Sequence, residues 1–171
     1  MDERKGEVTV NGNQVTLLGS LPKIGEKAPN FLLVGNDLQP VISEQFKGKV
    51  LVLLSVPSLD TPVCDIETRR FNQEAADLGE DVVILVVSMD LPFAQKRWCG
   101  AAGVNRVITA SDHRDGSFGL AYGVLIKELR LLARAVFVID REGIVRYIQL
   151  VKEAGKEPDY AAVLEVVRKL S

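Results

Sequence analysis

The sequence predicts an α/β protein built on one mixed β-sheet with helices on both faces. Two continuous apolar runs, VLVLLSV at 50–56 and VVILVV at 82–87, are rich in β-branched residues. Such runs are typical of strands that are buried on both faces of a parallel sheet. A helical pattern at 62–78 lies between them, and two later strand patterns flank the turn sequence at 141–143, which indicates an antiparallel hairpin.

The N-terminal end of the chain predicts a second hairpin. Valines and leucines alternate with polar residues on either side of Asn11-Gly12-Asn13, a sequence that favours a short turn between antiparallel strands. We interpret 1–19 as a hairpin extension of one domain that spans 1–171, because a chain of this length forms a single domain with an adequate core.

The remaining elements follow from apolar periodicity and from glycine and proline positions. In chain order they are a short strand at 31–34, a polar turn at 35–39, a short helix that reaches about Cys99 and is closed by Gly100 and Gly103, a strand near 104–109, one helical turn at 118–122, strands at 135–140 and 144–151, and a last helix at 159–170.

Composition excludes several classes of function. A net charge of −2 and a pI near 5.5 give no electrostatic basis for binding nucleic acid or an anionic membrane. No segment approaches the roughly 18 consecutive apolar residues of a membrane span. The charged N-terminus has no apolar signal region, so we expect a cytoplasmic protein. There a disulfide between the two cysteines would be transient and catalytic rather than structural.

Cys64 occupies a position with chemical consequences. Thr61-Pro62 is a strong helix start, since threonine caps and proline suits the first helical position. Cys64 is then the third helical residue, where the partial positive charge and free N–H groups of a helix N-terminus favour a thiolate. Its spacing to Phe71 and Leu78 places it on the inward face of the helix.

That inward face also supports another interpretation, because a free cysteine on an apolar stripe is usually a small core residue. The neighbours of Cys64 do not favour a thiolate: Asp60, Asp65 and Glu67 are anions. Arg69 and Arg70 are a turn or more away, and we expect them to be solvated. A reactive thiolate therefore needs a cation from elsewhere in the fold.

Arg134 is a candidate for that cation. It opens a predicted strand at a point where the strand end could reach the helix start. An arginine at the edge of a strand is the alternative interpretation.

These residues resemble a known family. PSLDTPVC matches the P-x3-T-x2-C motif of the peroxiredoxins. RRFN after the motif, LPFAQKRWCGAAG around Cys99, SDHRDGSFGLAYG and ARAVFVID are similar to the thiol peroxidase subfamily. The similarity extends from the N-terminal hairpin to the last helix. The resemblance implies a thioredoxin-like fold and the reduction of hydrogen peroxide and organic hydroperoxides without a metal or an organic cofactor.

The resemblance also assigns roles. Cys64 matches the peroxidatic cysteine and Cys99 the resolving cysteine. Thr61 matches the hydroxyl that orients the peroxide, Pro57 the proline that shields the pocket, and Arg134 the arginine that stabilises the thiolate and the transition state.

The implied reaction cycle runs through a Cys64 sulfenic acid and an intramolecular Cys64–Cys99 disulfide, which thioredoxin reduces. A homodimer is implied as well. Disulfide formation needs Cα atoms within about 7 Å. Since the two cysteines are on different helices and Cys64 points inward, we expect helix segments to unwind in each cycle.

Two other functions remain open from the residues alone. A general thiol–disulfide oxidoreductase would suit the fold class, although the chain has no CxxC pair. A redox-sensing thioredoxin-like module would use the same two cysteines as a switch. A zinc site is not expected, because His113 and two distant cysteines do not match metal-ligand spacing.

Overall fold

A computed structural model describes residues 1–171, apart from the side chain of Ala76. Its strands are β1 (Glu3–Val10), β2 (Asn13–Leu18), β3 (Leu32–Gly35), β4 (Pro40–Ile42), β5 (Val50–Ser55), β6 (Val82–Ser88), β7 (Ile108–Ser111), β8 (Leu125–Ile126), β9 (Leu131–Leu132), β10 (Ala135–Ile139) and β11 (Val145–Leu150), and its helices are α1 (Pro62–Leu78), α2 (Pro92–Ala102), α3 (Ser117–Ala121) and α4 (Tyr160–Leu170), with a 3₁₀ turn at Ser43–Phe46.

A seven-stranded mixed sheet in the order β11-β10-β5-β6-β7-β3-β4 forms the centre of the fold. Strands β5, β6 and β7 are parallel, β10 pairs antiparallel with β5, and β3 pairs antiparallel with β7. This confirms the predicted α/β class and the parallel pairing of the two apolar runs. Every residue of β5 is buried, as expected for a strand covered on both faces.

Each face of this sheet has its own apolar core. On one face, Val52, Leu54 and Val86 pack in a cluster that includes Cys64 and Phe71 of α1 and buried residues of α4. The other face packs against α3 and a second sheet, which has the order β1-β2-β8-β9. None of the described helices combines the length and apolarity that a membrane crossing needs.

The predicted N-terminal hairpin is present, with Asn11 and Gly12 both at positive φ, 51° and 79°. Positive φ at both central residues is the geometry of a type I′ turn. The hairpin does more than extend the domain, because β2 pairs with β8 and the Leu17 side chain is fully buried. Strands β8 and β9 were not predicted, since two-residue strands leave no periodic pattern.

Helix α2 differs from the prediction at its end. It continues through Cys99 and Gly100 to Ala102, so the expectation that Gly100 closes the helix is wrong. A glycine inside a helix weakens it by about 1 kcal/mol without ending it. Gly103 does close it, with φ 67° and its N–H bonded to the Cys99 carbonyl. The following strand accordingly begins at Ile108 rather than near 104.

Replacing Leu17 with alanine tests whether the hairpin is part of the core. We expect Leu17→Ala to lower the free energy of unfolding by about 2–5 kcal/mol, the cost of a large-to-small change in a packed core. Urea denaturation measures this. Leu129→Ala is the control, since Leu129 is 44% exposed and should change stability by less than about 0.5 kcal/mol. Equal midpoints for the two variants would show that the hairpin is dispensable to the core.

Candidate active site

Helix α1 begins as the sequence predicts. The Thr61 hydroxyl accepts a hydrogen bond from the Cys64 backbone N–H at 3.3 Å, and the Thr61 carbonyl accepts from the Asp65 N–H at 3.0 Å. The Thr61 hydroxyl donates its own hydrogen to the Ser58 carbonyl at 3.0 Å. The predicted inward orientation of Cys64 is confirmed, because the residue is 0% exposed.

The loop between β5 and α1 carries Pro57 and is fixed by a residue that the sequence did not reveal. Asp90 Oδ1 accepts from the Ser58 hydroxyl at 2.7 Å, and Asp90 Oδ2 accepts from the Leu59 N–H at 2.9 Å. Asp90 follows the end of β6, the parallel neighbour of β5. The carboxyl ends of neighbouring parallel strands lie at the same edge of a sheet. The position of Asp90 just after β6 could therefore have predicted that it lies near the loop after β5.

Arg134 is buried rather than placed at a solvated strand edge. Its side chain is 1% exposed and, among the described side chains, is the only buried cationic one. It lies immediately before β10, whose Ala135 pairs with Ser55 at the end of β5. Its Nε and Nη2 donate to the Ala154 carbonyl at 3.2 and 2.9 Å.

The third contact of Arg134 reaches helix α1. Arg134 Nη1 donates to Glu67 Oε1 at 3.1 Å, and Glu67 is 0% exposed. Glu67 lies three residues after Cys64, so this ion pair holds Arg134 against the N-terminal half of the helix. The structure thus brings Arg134 to the same end of the sheet as Pro57, Thr61 and Cys64.

Glu67 was expected only as an unfavourable anion. Burial raises the pKa of its carboxyl from 4.5 to about 7, although the Arg134 guanidinium opposes that rise. Its other oxygen, Oε2, is buried without a hydrogen-bond partner among the described residues. Below that pKa the carboxyl is neutral, and the charge of Arg134 is then not cancelled by its partner.

Cys99 of α2 contacts strand β7. Its Sγ is 3.5 Å from the Thr109 hydroxyl of β7. Since Thr109 donates its hydrogen to Asn36 Oδ1 at 3.0 Å, the Cys99 thiol is the donor in this contact. Both cysteines are free, with Cys64 buried and Cys99 partly exposed.

The remaining residues near the site differ from expectation in one respect. Arg69 and Arg70 are 48% and 47% exposed, and each forms an ion pair one turn along α1. Arg69 is not simply solvated, because it also donates to a carbonyl of α2.

His113 lies in a loop and is partly exposed. No described group of three or more His, Cys, Asp or Glu residues is arranged to hold a metal.

A cavity of about 490 Å³ lies elsewhere and is lined by none of the five predicted site residues. Its walls include Phe31, Phe46 and Leu51.

The chemistry available near Cys64 is that of a thiol at a capped helix start, enclosed by apolar residues, with one buried cation nearby. These features agree with the peroxiredoxin-type site that the sequence predicts.

Comparison with known proteins agrees with that class. The family model described as Redoxin matches residues 23–164. A thiol peroxidase of Halalkalibacterium halodurans is 56% identical over 94% of this chain and 96% of its own length. One from Bacillus subtilis is 52% identical over 96% of this chain and 98% of its own. The crystal structure of a peroxiredoxin-like protein from Aquifex aeolicus superposes with a TM-score of 0.90 at 46% identity, covering 98% of this chain and 99% of that one.

The chain therefore belongs to the redoxin family and, within it, to the thiol peroxidases. It is accordingly a thiol-dependent peroxidase of the peroxiredoxin type.

The raised pKa of Glu67 predicts a pH-dependent stability. Between pH 4.5 and about 7 the folded state holds a proton that the unfolded state releases, so this group's contribution to stability falls as pH rises through that window. Glu67→Gln cannot lose the proton. We expect Glu67→Gln to gain stability relative to the wild type as pH rises from 4.5 to 7.

Urea unfolding at several pH values measures this difference. Glu74→Gln, which changes a partly exposed carboxylate on the same helix, serves as the control. A stability difference between Glu67→Gln and the wild type that stays constant across the window would show that folding does not raise the pKa of Glu67.

Proposed function

We propose that this thiol-dependent peroxidase uses Cys64 as its peroxidatic cysteine. The observation that carries the proposal is the fully buried Cys64 at the third position of α1, with its N–H bound to the Thr61 hydroxyl. The Cys64 thiolate attacks the terminal oxygen of the hydroperoxide, forms a sulfenic acid and releases water or an alcohol. Helix N–H groups favour the anionic sulfur at that position.

Thr61 and Arg134 are proposed to stabilise the reacting oxygens. The Thr61 hydroxyl hydrogen is directed to Ser58, so its oxygen is the acceptor that orients a peroxide O–H. Arg134 uses three of the five N–H donors of a guanidinium on Ala154 and Glu67, and the others remain for the substrate. Such donors, fixed in place before reaction, stabilise developing charge most effectively in a dry site. Pro57 is proposed to shield that site from solvent.

Cys99 is proposed as the resolving cysteine. Its thiol condenses with the Cys64 sulfenic acid, forming the S–S bond and releasing water. Cys99 is held to β7 through Thr109, whereas Cys64 is a fully buried residue of α1. Part of α1 or α2 must therefore unwind before the two sulfur atoms meet.

The wider setting of the enzyme is also a proposal. The family implies a peroxide as the substrate and a thioredoxin-type dithiol protein as the reductant, and we propose thioredoxin itself. We further propose a homodimer of single-domain chains in the cytoplasm. Both hydrogen peroxide and organic hydroperoxides are proposed substrates.

Serine variants of the two cysteines test these roles. We expect Cys64→Ser to abolish peroxide consumption, because a hydroxyl at that position is not ionised at neutral pH. We expect Cys99→Ser to undergo one round of oxidation, which leaves a trappable sulfenic acid, and then to stop with thioredoxin as the reductant. Peroxide consumption and mass spectrometry of the trapped protein measure the two outcomes.

Each cysteine variant is the control for the other, since both lose one thiol. Full steady-state activity in Cys64→Ser would contradict the assignment. Reduction of insulin disulfides faster than reduction of hydroperoxides would instead support a general thiol–disulfide oxidoreductase.

A further inference from the structure

Polar contacts join the two helices that carry the cysteines. Asp65 Oδ1 of α1 accepts from the indole Nε1 of Trp98 in α2 at 3.0 Å. The other oxygen of Asp65 accepts from Arg69 Nε at 3.0 Å. Arg69 in turn donates through Nη1 to the carbonyl of Ala102, the last residue of α2, at 3.2 Å. The Arg69 guanidinium also lies 5.9 Å from the centroid of the Trp98 ring.

One turn further along, α1 also binds the chain that leaves α2. Asn72 Oδ1 accepts the backbone N–H groups of Asn105 and Arg106 at 3.2 and 2.7 Å. Asp65, Arg69 and Asn72 are spaced at offsets that share one face of a helix. We name these contacts the α1–α2 clasp, which consists of Asp65, Arg69 and Asn72 of α1, Trp98 and the Ala102 carbonyl of α2, and the N–H groups of Asn105 and Arg106.

The clasp is adjacent in sequence to both reactive positions. Asp65 follows Cys64 directly, and Trp98 directly precedes Cys99. Both cysteines are free while the first turn of α1 and the end of α2 keep these positions, with the Cys99 thiol bound to Thr109 and Cys64 fully buried. Unwinding either segment breaks the contact between Asp65 and Trp98.

We infer that the clasp sets the rate at which the Cys64 sulfenic acid is converted to the disulfide, with Asp65 and Trp98 as positioning residues. This inference rests on the proposed roles of Cys64 and Cys99. The clasp holds α1 and α2 together. This keeps the site around Cys64 intact for the next peroxide but delays the approach of Cys99. Its contacts are lost before the disulfide forms, so weakening them speeds that step.

Two reactions compete for the sulfenic acid, and only the second can proceed while the clasp is closed. In the first, Cys64–SOH and Cys99–SH give the disulfide and water. In the second, Cys64–SOH and another hydroperoxide give the sulfinic acid and water or an alcohol. Only the second depends on peroxide concentration. The strength of the clasp therefore sets the peroxide concentration at which the enzyme is inactivated.

Trp98 allows the clasp to be observed directly, because it is the only tryptophan in the chain. Its indole loses the bond to Asp65 when the helices separate, so its fluorescence reports the opening. Single-turnover oxidation of the reduced protein by cumene hydroperoxide, followed by stopped-flow fluorescence, separates the two steps. One phase depends on peroxide concentration, and the peroxide-independent phase is disulfide formation.

Asp65→Ala removes the clasp contacts with Trp98 and Arg69. We expect the peroxide-independent phase to become about fivefold faster, the factor that corresponds to the net worth of one hydrogen bond. The peroxide concentration that converts half of Cys64 to sulfinic acid should rise by about the same factor. Glu74→Ala is the control, since it removes an ion pair of the same spacing on α1 that involves only Arg70 of the same helix.

Trp98→Phe is a second variant, which keeps an aromatic ring and every charge but removes the N–H donor. Mass spectrometry of the oxidised protein measures its partition between disulfide and sulfinic acid, and we expect the disulfide fraction to increase. A general loss of helix stability would also favour the disulfide, so this partition is compared with that of Glu74→Ala, which weakens α1 without affecting α2.

The possible outcomes separate the inference from the proposed function. If the wild type forms the Cys64–Cys99 disulfide but Asp65→Ala and Glu74→Ala share one resolution rate, the clasp is overturned while the proposed function stands. Slower resolution in Asp65→Ala or more sulfinic acid in Trp98→Phe would also overturn it. Absence of the disulfide in the wild type would overturn both.

Discussion

The ion pair between Arg134 and Glu67 connects the central sheet to the helix that carries Cys64. In the proposed reaction the fully buried Cys64 thiol must become an anion. Desolvation of an anion is costly unless a positive charge or donor groups compensate for it. In that proposal the helix N-terminus supplies part of the compensation, and the buried guanidinium of Arg134 supplies positive charge that ionised Glu67 would cancel. Burial of Glu67 favours its neutral form, which leaves more of that charge for Cys64 and its substrate.

Several features of the fold serve to hold this arrangement. Antiparallel pairing of β10 with β5 places Arg134 at the end of the sheet where the chain leaves β5 for α1. The Ala154 carbonyl, in the segment after β11, accepts two of the guanidinium bonds. Asp90, at the end of β6, fixes the loop on the other side of the site. Residues next to strands β6, β10 and β11 therefore help to fix the position of the N-terminal part of α1.

The sequence predicted those features of the fold and the site that residues close together in the chain determine. Thr61-Pro62 located the start of α1, and apolar periodicity gave the inward direction of Cys64. The parallel strands followed from two continuous apolar runs. The resemblance to a family supplied the role of Arg134, which its position in the sequence could only suggest.

The parts that were missed depend on contacts between distant segments. Glu67 was interpreted as an unfavourable anion because its partner is 67 positions away in the chain. The contacts of Asp90 with the loop between β5 and α1, and of Arg69 with α2, likewise join segments that are distant in the sequence. Gly100 was taken as a helix end because glycine often marks one, but in α2 the left-handed residue is Gly103. Strands β8 and β9 are too short to leave a pattern, and they form where β8 pairs with β2 on one side and with β9 on the other.

The central claim is that the buried guanidinium of Arg134 promotes the oxidation of Cys64. The most direct measurement is the second-order rate constant for oxidation of Cys64 by cumene hydroperoxide in the Glu67→Gln protein with and without Arg134→Gln. The Glu67→Gln background avoids leaving a buried carboxylate unpaired. We expect Arg134→Gln to lower the rate constant by about two orders of magnitude, the usual cost of removing one preorganised donor. A rate constant within about twofold of the Glu67→Gln protein, a change of under 0.5 kcal/mol in the barrier, would contradict the claim.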